Sequence, residues 1–86
     1  MSIEDAKAAI RKGIEASERA KSTIRDADSH GRLAHTLALS TAHDSRHKAV
    51  ERGFDCLREA EHEVDLVLRR IEVSTDAANR YLGILG

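Results

Sequence analysis

The chain has 86 residues, a formal net charge of −1 and one cysteine. A chain this short forms one domain at most and buries only about 60–65 % of its unfolded surface, so a monomeric core is marginal. The single Cys56 excludes a disulfide within the chain. Interspersed, balanced charges argue against nucleic-acid binding, and no apolar run reaches the roughly 18–20 residues of a membrane span. The first residues lack the basic start and apolar core of a signal peptide.

The composition favours helices. There is no proline or tryptophan, and there is one phenylalanine and one tyrosine. Alanine, leucine, arginine, glutamate and lysine are abundant instead, which is typical of long helices. We therefore predict an all-α fold.

The first arm, about residues 2–28, begins with Ser2 as a predicted N-cap and Asp5 three residues later. A seven-residue repeat follows and predicts two columns that face another helix. The first column is mostly isoleucine and the second is small: Ile3, Ile10, Ser17 and Ile24, then Ala6, Gly13, Ala20 and Ala27.

Gly31 interrupts this pattern, and the phase of the heptad shifts after it. The glycine either ends a helix or lies within a bent but continuous one, at a cost of about 1 kcal/mol relative to alanine. Further on, Thr41–Ser45 is the best candidate for a turn, with Asp44 or Ser45 as the N-cap of the next helix.

The second arm carries the clearest pattern in the chain. Two columns recur every seven residues over five repeats, and a third column of Gly53, Ala60, Val67, Ser74 and Tyr81 widens the stripe to the width of a bundle helix. The two main columns are Val50, Leu57, Val64, Ile71, Ala78 and Leu85, and Phe54, Glu61, Leu68, Thr75 and Leu82.

These patterns predict one helical domain over residues 1–86. Arm one covers about 2–42, the turn about 43–46 and arm two about 46–85, so each arm spans about 60 Å. The expected fold is an antiparallel helical hairpin, with the first arm continuous or broken near Gly31. Two helices cannot cover two wide stripes, so we expect hairpins to pair into a four-helix bundle.

A second apolar patch lies off the main stripe at Leu66, Val73, Ala77 and Ile84. It is either scattered surface or a contact with a second neighbour. The predicted interface combines the stripe and this patch: Val50, Phe54, Leu57, Glu61, Val64, Leu66, Leu68, Ile71, Val73, Leu82, Ile84 and Leu85.

Glu61 stands out because it lies between Phe54 and Leu68 in a predicted seam column. A buried carboxylate needs a partner, which would be Arg58 or a basic residue of the other arm. The alternative is an edge position from which the carboxylate reaches water.

The pair His43 and His47 has the four-residue spacing of two zinc ligands on a helix. Because the pair falls at the predicted turn, capping residues of a polar turn are the favoured interpretation. No glycine-rich phosphate loop or nucleophile–base pair is present, so we expect no enzyme and no cofactor.

The matched arms, the central turn and the absence of proline resemble the WXG100, or ESX-type, helical hairpins. That resemblance implies dimerisation into four-helix bundles and type VII secretion. The chain departs from the family because it has no Trp-x-Gly turn, and because Tyr81 is followed four residues later by Leu85 rather than by an acidic residue. A second resemblance, over residues 37–86, is to the helical N-terminal modules of bacterial polymorphic toxins, on the runs His43–His47, Leu57–Ala60 and Ala77–Gly86.

The expected function is a non-enzymatic assembly module that pairs with a second copy or with a related helical protein. One alternative is a regulatory or antitoxin-type protein that occludes an enzyme. Another is a metal-binding protein that uses His43 and His47. We expect a cytoplasmic location, with a type VII-like export route as the alternative.

Overall fold

A computed structural model describes residues 2–42 and 44–86. The described residues form two helices, α1 (Ile3–Ala42) and α2 (Lys48–Leu85), which pack side by side as an antiparallel hairpin. The hairpin measures 62 × 17 × 16 Å. This length matches the about 60 Å expected of a 40-residue helix. The predicted all-α hairpin is therefore confirmed, and neither helix is apolar enough over a sufficient length to cross a bilayer.

The ends of the helices follow from local hydrogen bonds. Ser2 and Asp5 cap α1 reciprocally, since the Asp5 amide donates to Ser2 Oγ at 3.1 Å and the Ser2 amide donates to Asp5 Oδ2 at 3.3 Å. The predicted first cap is confirmed. Helix α2 begins later than expected, because its N-cap is His47, whose Nδ1 accepts from the Ala49 amide at 3.1 Å. The prediction of Asp44 or Ser45 as this cap is wrong.

Helix α1 runs through Gly31 without interruption. Of the two structures that the sequence allowed here, the continuous helix is the one observed. A Cβ added at Gly31 would meet nothing within 4 Å. The glycine is therefore not required by close packing within the hairpin.

The helices meet along a seam that differs from the predicted one on α1. The isoleucine column lies there as expected, but its companion is not the small-residue column. Gly13, Ala20 and Ala27 are exposed. The observed companion, which we call the polar column, is more covered and consists of Lys7, Ile14, Lys21, Asp28, His35 and Ala42. On α2 both predicted columns face α1, and Thr75 is their most buried member.

The polar column also explains the apparent shift of phase at Gly31. Counted from Lys7, its seven-residue spacing continues unbroken to Ala42. The isoleucines of α1 end at Ile24, and the seam positions of the polar column beyond Gly31 are occupied by His35 and Ala42, so the pattern of large apolar residues alone does not reveal this register.

The hairpin has no dry interior. Among the described residues no hydrophobic side chain is fully buried, and the two buried residues, Lys7 and Thr75, are polar. The accessible surface is 6614 Å². A compact monomer of 9.5 kDa would expose about 5,000 Å². The accessible surface of the hairpin is therefore about a third larger than that of a compact globule of the same mass.

Replacing Gly31 with alanine should stabilise the hairpin by about 0.5–1 kcal/mol. Alanine restricts the unfolded chain, and the added methyl group enters open space. Equilibrium urea unfolding by circular dichroism measures the change. A loss of stability would contradict the continuous, uncrowded helix at this position.

Candidate interaction surface

The seam carries a polar cluster near the turn end of the hairpin. His35 Nδ1 donates to Glu61 Oε1 at 2.7 Å, and the His35 ring stacks on Phe54 with ring centroids 5.5 Å apart. Arg32 lies 3.7 Å from Glu61 Oε2. The carboxylate of Glu61 therefore has its partners on the other helix. A partner on the other arm was one of the two that the sequence offered, and Arg58 was the other.

Arg58, the other predicted partner of Glu61, pairs with Asp55 on its own helix instead. This pair is exposed on both sides and does not join the two helices. Glu61 pairs across the helices because His35 lies in the polar column directly opposite it, whereas Arg58 points away from the seam.

One long face of the hairpin is charged and joins the helices by ion pairs. We call it the charged face. Arg25 lies 3.5 Å from Glu72, and Arg32 lies 3.4 Å from Asp65. Arg32 also donates to Asp28 at 2.8 Å, and this hydrogen bond raises the pKa of the guanidinium above its usual value. These pairs are solvent-exposed, so each adds little stability, but together they specify which residues lie opposite one another.

On the opposite long face, the two outer columns of the helices contain no charged residue. The helical repeat brings to it the small column of α1 and the third column of α2, and we call these residues the neutral face. With the single exception of Ala6, which is half-buried, its members are exposed. The neutral face consists of Ala6, Gly13, Ala20, Ala27, Ala34 and Thr41 of α1 and Gly53, Ala60, Val67, Ser74 and Tyr81 of α2.

A groove of about 360 Å³ runs between the helices on this side. Its lining comprises the small residues Ala27, Gly31 and Ala60, the apolar seam residues Ile24, Leu57 and Val64, and the acidic residues Asp28 and Glu61. Because several of these residues are small, the larger seam side chains are accessible from the neutral face. The groove is therefore a place where side chains of another helix can reach the apolar seam.

The sequence-predicted interface residues divide into two groups. The seam group of α2 lines the junction with α1 and is mostly half-buried. The patch group lies on the outer side of α2, where Val73 is 64 % and Ile84 78 % exposed, while Leu66 is half-buried. The structure does not bring the patch into contact with α1.

The neutral face is the feature that the sequence analysis missed. Its α1 half was identified as a small-residue column, but it was assigned to the contact with α2. The signal that could have corrected this is the flanking charge. Arg25 and Arg32 can meet Glu72 and Asp65 only if the polar column, and not the alanine column, lies in the seam.

The proposed metal ligands gain no support from the described residues. His43 lies outside them, and His47 is engaged in capping α2. No group of three or more histidine, cysteine, aspartate or glutamate side chains within the described part of the chain is arranged to hold a metal ion.

A surface hollow near Cys56 and His62 is lined by residues of α2 alone. It has no opposing wall that could position a substrate. Cys56 itself is a free, exposed thiol.

Comparisons of the chain with protein-family models, curated proteins and solved structures gave no match.

Replacing Glu61 with alanine should destabilise the protein by about 1–3 kcal/mol, because it leaves His35 without its acceptor in the seam. Glu61→Gln should cost less, since the amide oxygen still accepts from His35. Glu63→Ala is the matched control on the exposed side of α2 and should change stability by less than about 0.5 kcal/mol. Urea unfolding of the three variants measures these effects, and equal losses for Glu61→Ala and Glu63→Ala would refute a structural role for the cluster.

Proposed function

We propose that this protein is a non-enzymatic helical assembly module that completes a four-helix bundle with another helical hairpin through its neutral face. The observation that carries the proposal is that the two long faces of the hairpin differ in chemistry. One long face is closed by cross-helix ion pairs, and the other leaves the apolar seam accessible between small, uncharged side chains.

The incomplete burial of the seam supports an assembly role. Leu57 retains 36 % of its exposure, and Val67 beside the seam retains 39 %. Burial of apolar surface contributes about 25 cal/mol per Å². Covering the neutral face would therefore supply stabilisation that the hairpin alone lacks.

The dimensions of the face also fit a stable interface. A face of 62 × 17 Å presents about 1,000 Å². Specific protein–protein interfaces bury about 800 Å² per partner. A partner that covers most of the face would reach this size, and a helical hairpin of similar length has the required shape.

The chemistry of the face favours helices as the partner. Alanine and glycine rims let helix backbones approach closely, and the seam beneath receives the side chains of the arriving helix. Charged partners such as nucleic acids are disfavoured, because the neutral face offers no cation to a phosphate.

The biological setting that we propose follows from the two family resemblances. A WXG100-like hairpin implies a role in type VII-like secretion, and a toxin-module likeness implies a role in the delivery of polymorphic toxins. An antitoxin-type protein that covers an enzyme would use the same face and is the second candidate. A metal-binding function is not favoured, because His47 is committed to the cap of α2.

A matched pair of substitutions tests the proposal. Ala20→Glu puts a carboxylate on the neutral face, whereas Ala8→Glu puts the same residue on the exposed outer side of α1. Native mass spectrometry would follow assemblies of the protein alone and mixed with a helical protein encoded beside its gene. We expect two-hairpin assemblies for the unchanged protein and Ala8→Glu, and their loss for Ala20→Glu.

Two results would refute the proposal. One is the absence of any two-hairpin assembly, alone or with the neighbouring gene product. The other is an assembly that Ala20→Glu and Ala8→Glu affect equally, because the neutral face would then not be the contact. Circular dichroism of both variants checks that each remains helical.

A further inference from the structure

The outer side of α2, which faces away from α1, changes in character along the helix. Its half near the turn carries acidic side chains such as Glu59 and Glu63 and no large aliphatic residue. Its other half carries the second apolar patch, in which Val73 is 64 % and Ile84 78 % exposed. From Leu66 to Ile84 the patch forms a stripe about 27 Å long, confined to this half of the helix.

Three arginines flank the patch and carry positive charge that the hairpin does not neutralise. Arg69, Arg70 and Arg80 are exposed, and none of them forms an ion pair or hydrogen bond with another described residue. The arginines of the charged face, by contrast, pair with carboxylates of the other helix. Between Leu66 and Ile84 the outer side of α2 carries one acidic residue, Asp76. The surroundings of the patch are therefore basic, although the whole chain is not.

We infer that this side of α2 docks the protein on the surface of an anionic lipid bilayer. Val73 and Ile84 enter the boundary between headgroups and acyl chains, as the apolar side of an interfacial helix does. The guanidinium groups bind lipid phosphates, to which each can donate two parallel hydrogen bonds. Their methylene stems lie along the apolar surface while the charged heads stay in the headgroup layer. Tyr81, which is 52 % exposed at the margin of the patch, is a residue type enriched at this level of a membrane.

The positions of two arginines favour a lipid surface over a second helix. A helix that packed along the patch would contact positions spaced alternately by four and three residues, which are Leu66, Arg70, Val73, Ala77, Arg80 and Ile84. Arg70 and Arg80 would then be enclosed, and each would need a buried carboxylate in register. A layer of anionic headgroups supplies phosphates at every position, so both guanidinium groups stay paired without a fixed register. A nucleic acid also offers phosphates, but it would leave Val73 and Ile84 without apolar contacts.

Co-sedimentation of the full chain with lipid vesicles tests the inference. We expect binding to vesicles of phosphatidylcholine and phosphatidylserine in equal parts, and much weaker binding to phosphatidylcholine alone. Each arginine near an anionic surface strengthens binding about fivefold, so Arg70→Gln combined with Arg80→Gln should weaken it about twentyfold. Val73→Ser combined with Ile84→Ser removes the apolar part of the contact and should weaken binding about tenfold or more.

Two matched pairs of substitutions are the controls. Lys48→Gln with Arg52→Gln removes the same charge from the half of α2 near the turn. Leu33→Ser with Leu37→Ser removes exposed apolar side chains from α1, where the two residues are 57 % and 58 % exposed. Both controls should bind the anionic vesicles like the unchanged protein. Ala20→Glu should also bind them, because the neutral face is a separate surface. Circular dichroism checks that every variant remains helical.

Each other outcome overturns the inference. A protein that does not sediment with the anionic vesicles does not dock on lipid, and an acidic protein would then be the better partner for the patch. Equal binding to both kinds of vesicle means that the arginines do not recognise the headgroups. Equal weakening by the patch pairs and the control pairs means that the contact is not at the patch. Loss of binding in Ala20→Glu would place the contact on the neutral face. The proposed assembly of hairpins does not depend on any of these results.

Discussion

The hairpin depends on one constraint, which is that α1 presents ionisable residues at the positions that face α2. Lys7, Lys21, Asp28 and His35 share the polar column with only two apolar residues. Charged and polar groups cannot be covered without partners, since an unpaired buried polar group costs several kcal/mol. Two helices that meet through such a column cannot close over a dry interior, and none is observed among the described residues.

The polar groups find partners in ways that fix the register of the helices. Lys7, near the start of α1, donates to the Gly86 carbonyl and so caps the C-terminal end of α2. This contact satisfies one of the carbonyls that every helix leaves free at its end. Near the turn, the hydrogen bond between His35 and Glu61 also joins the two helices. With a specific contact at each end and ion pairs between, sliding one helix along the other would break several interactions at once.

Most of the fold could be predicted from the sequence, and the seam of α2 could be predicted residue by residue. Its apolar residues recur without a slip, so periodicity alone identifies the face. The seam of α1 could not be predicted in this way, because its residues there are polar and its alanines lie on the adjacent exposed face. Burial of small residues gains little free energy, so alanine periodicity is a weak guide to which side of a helix is covered. The correct seam follows only when the charges of both helices are considered together.

The same displacement of the seam creates the candidate interaction surface. Had the alanine column met α2, its small side chains would have allowed the two helices to pack more closely. Because the polar column occupies the seam, the alanines border the groove and the apolar residues of α2 stay accessible from one side. His35 and Thr75 each keep a buried polar atom without a hydrogen-bond partner in the described part of the chain. A hairpin held in this way gains register from its polar contacts but little stability, so the second hairpin that we propose on the neutral face would add apolar burial that the single hairpin lacks.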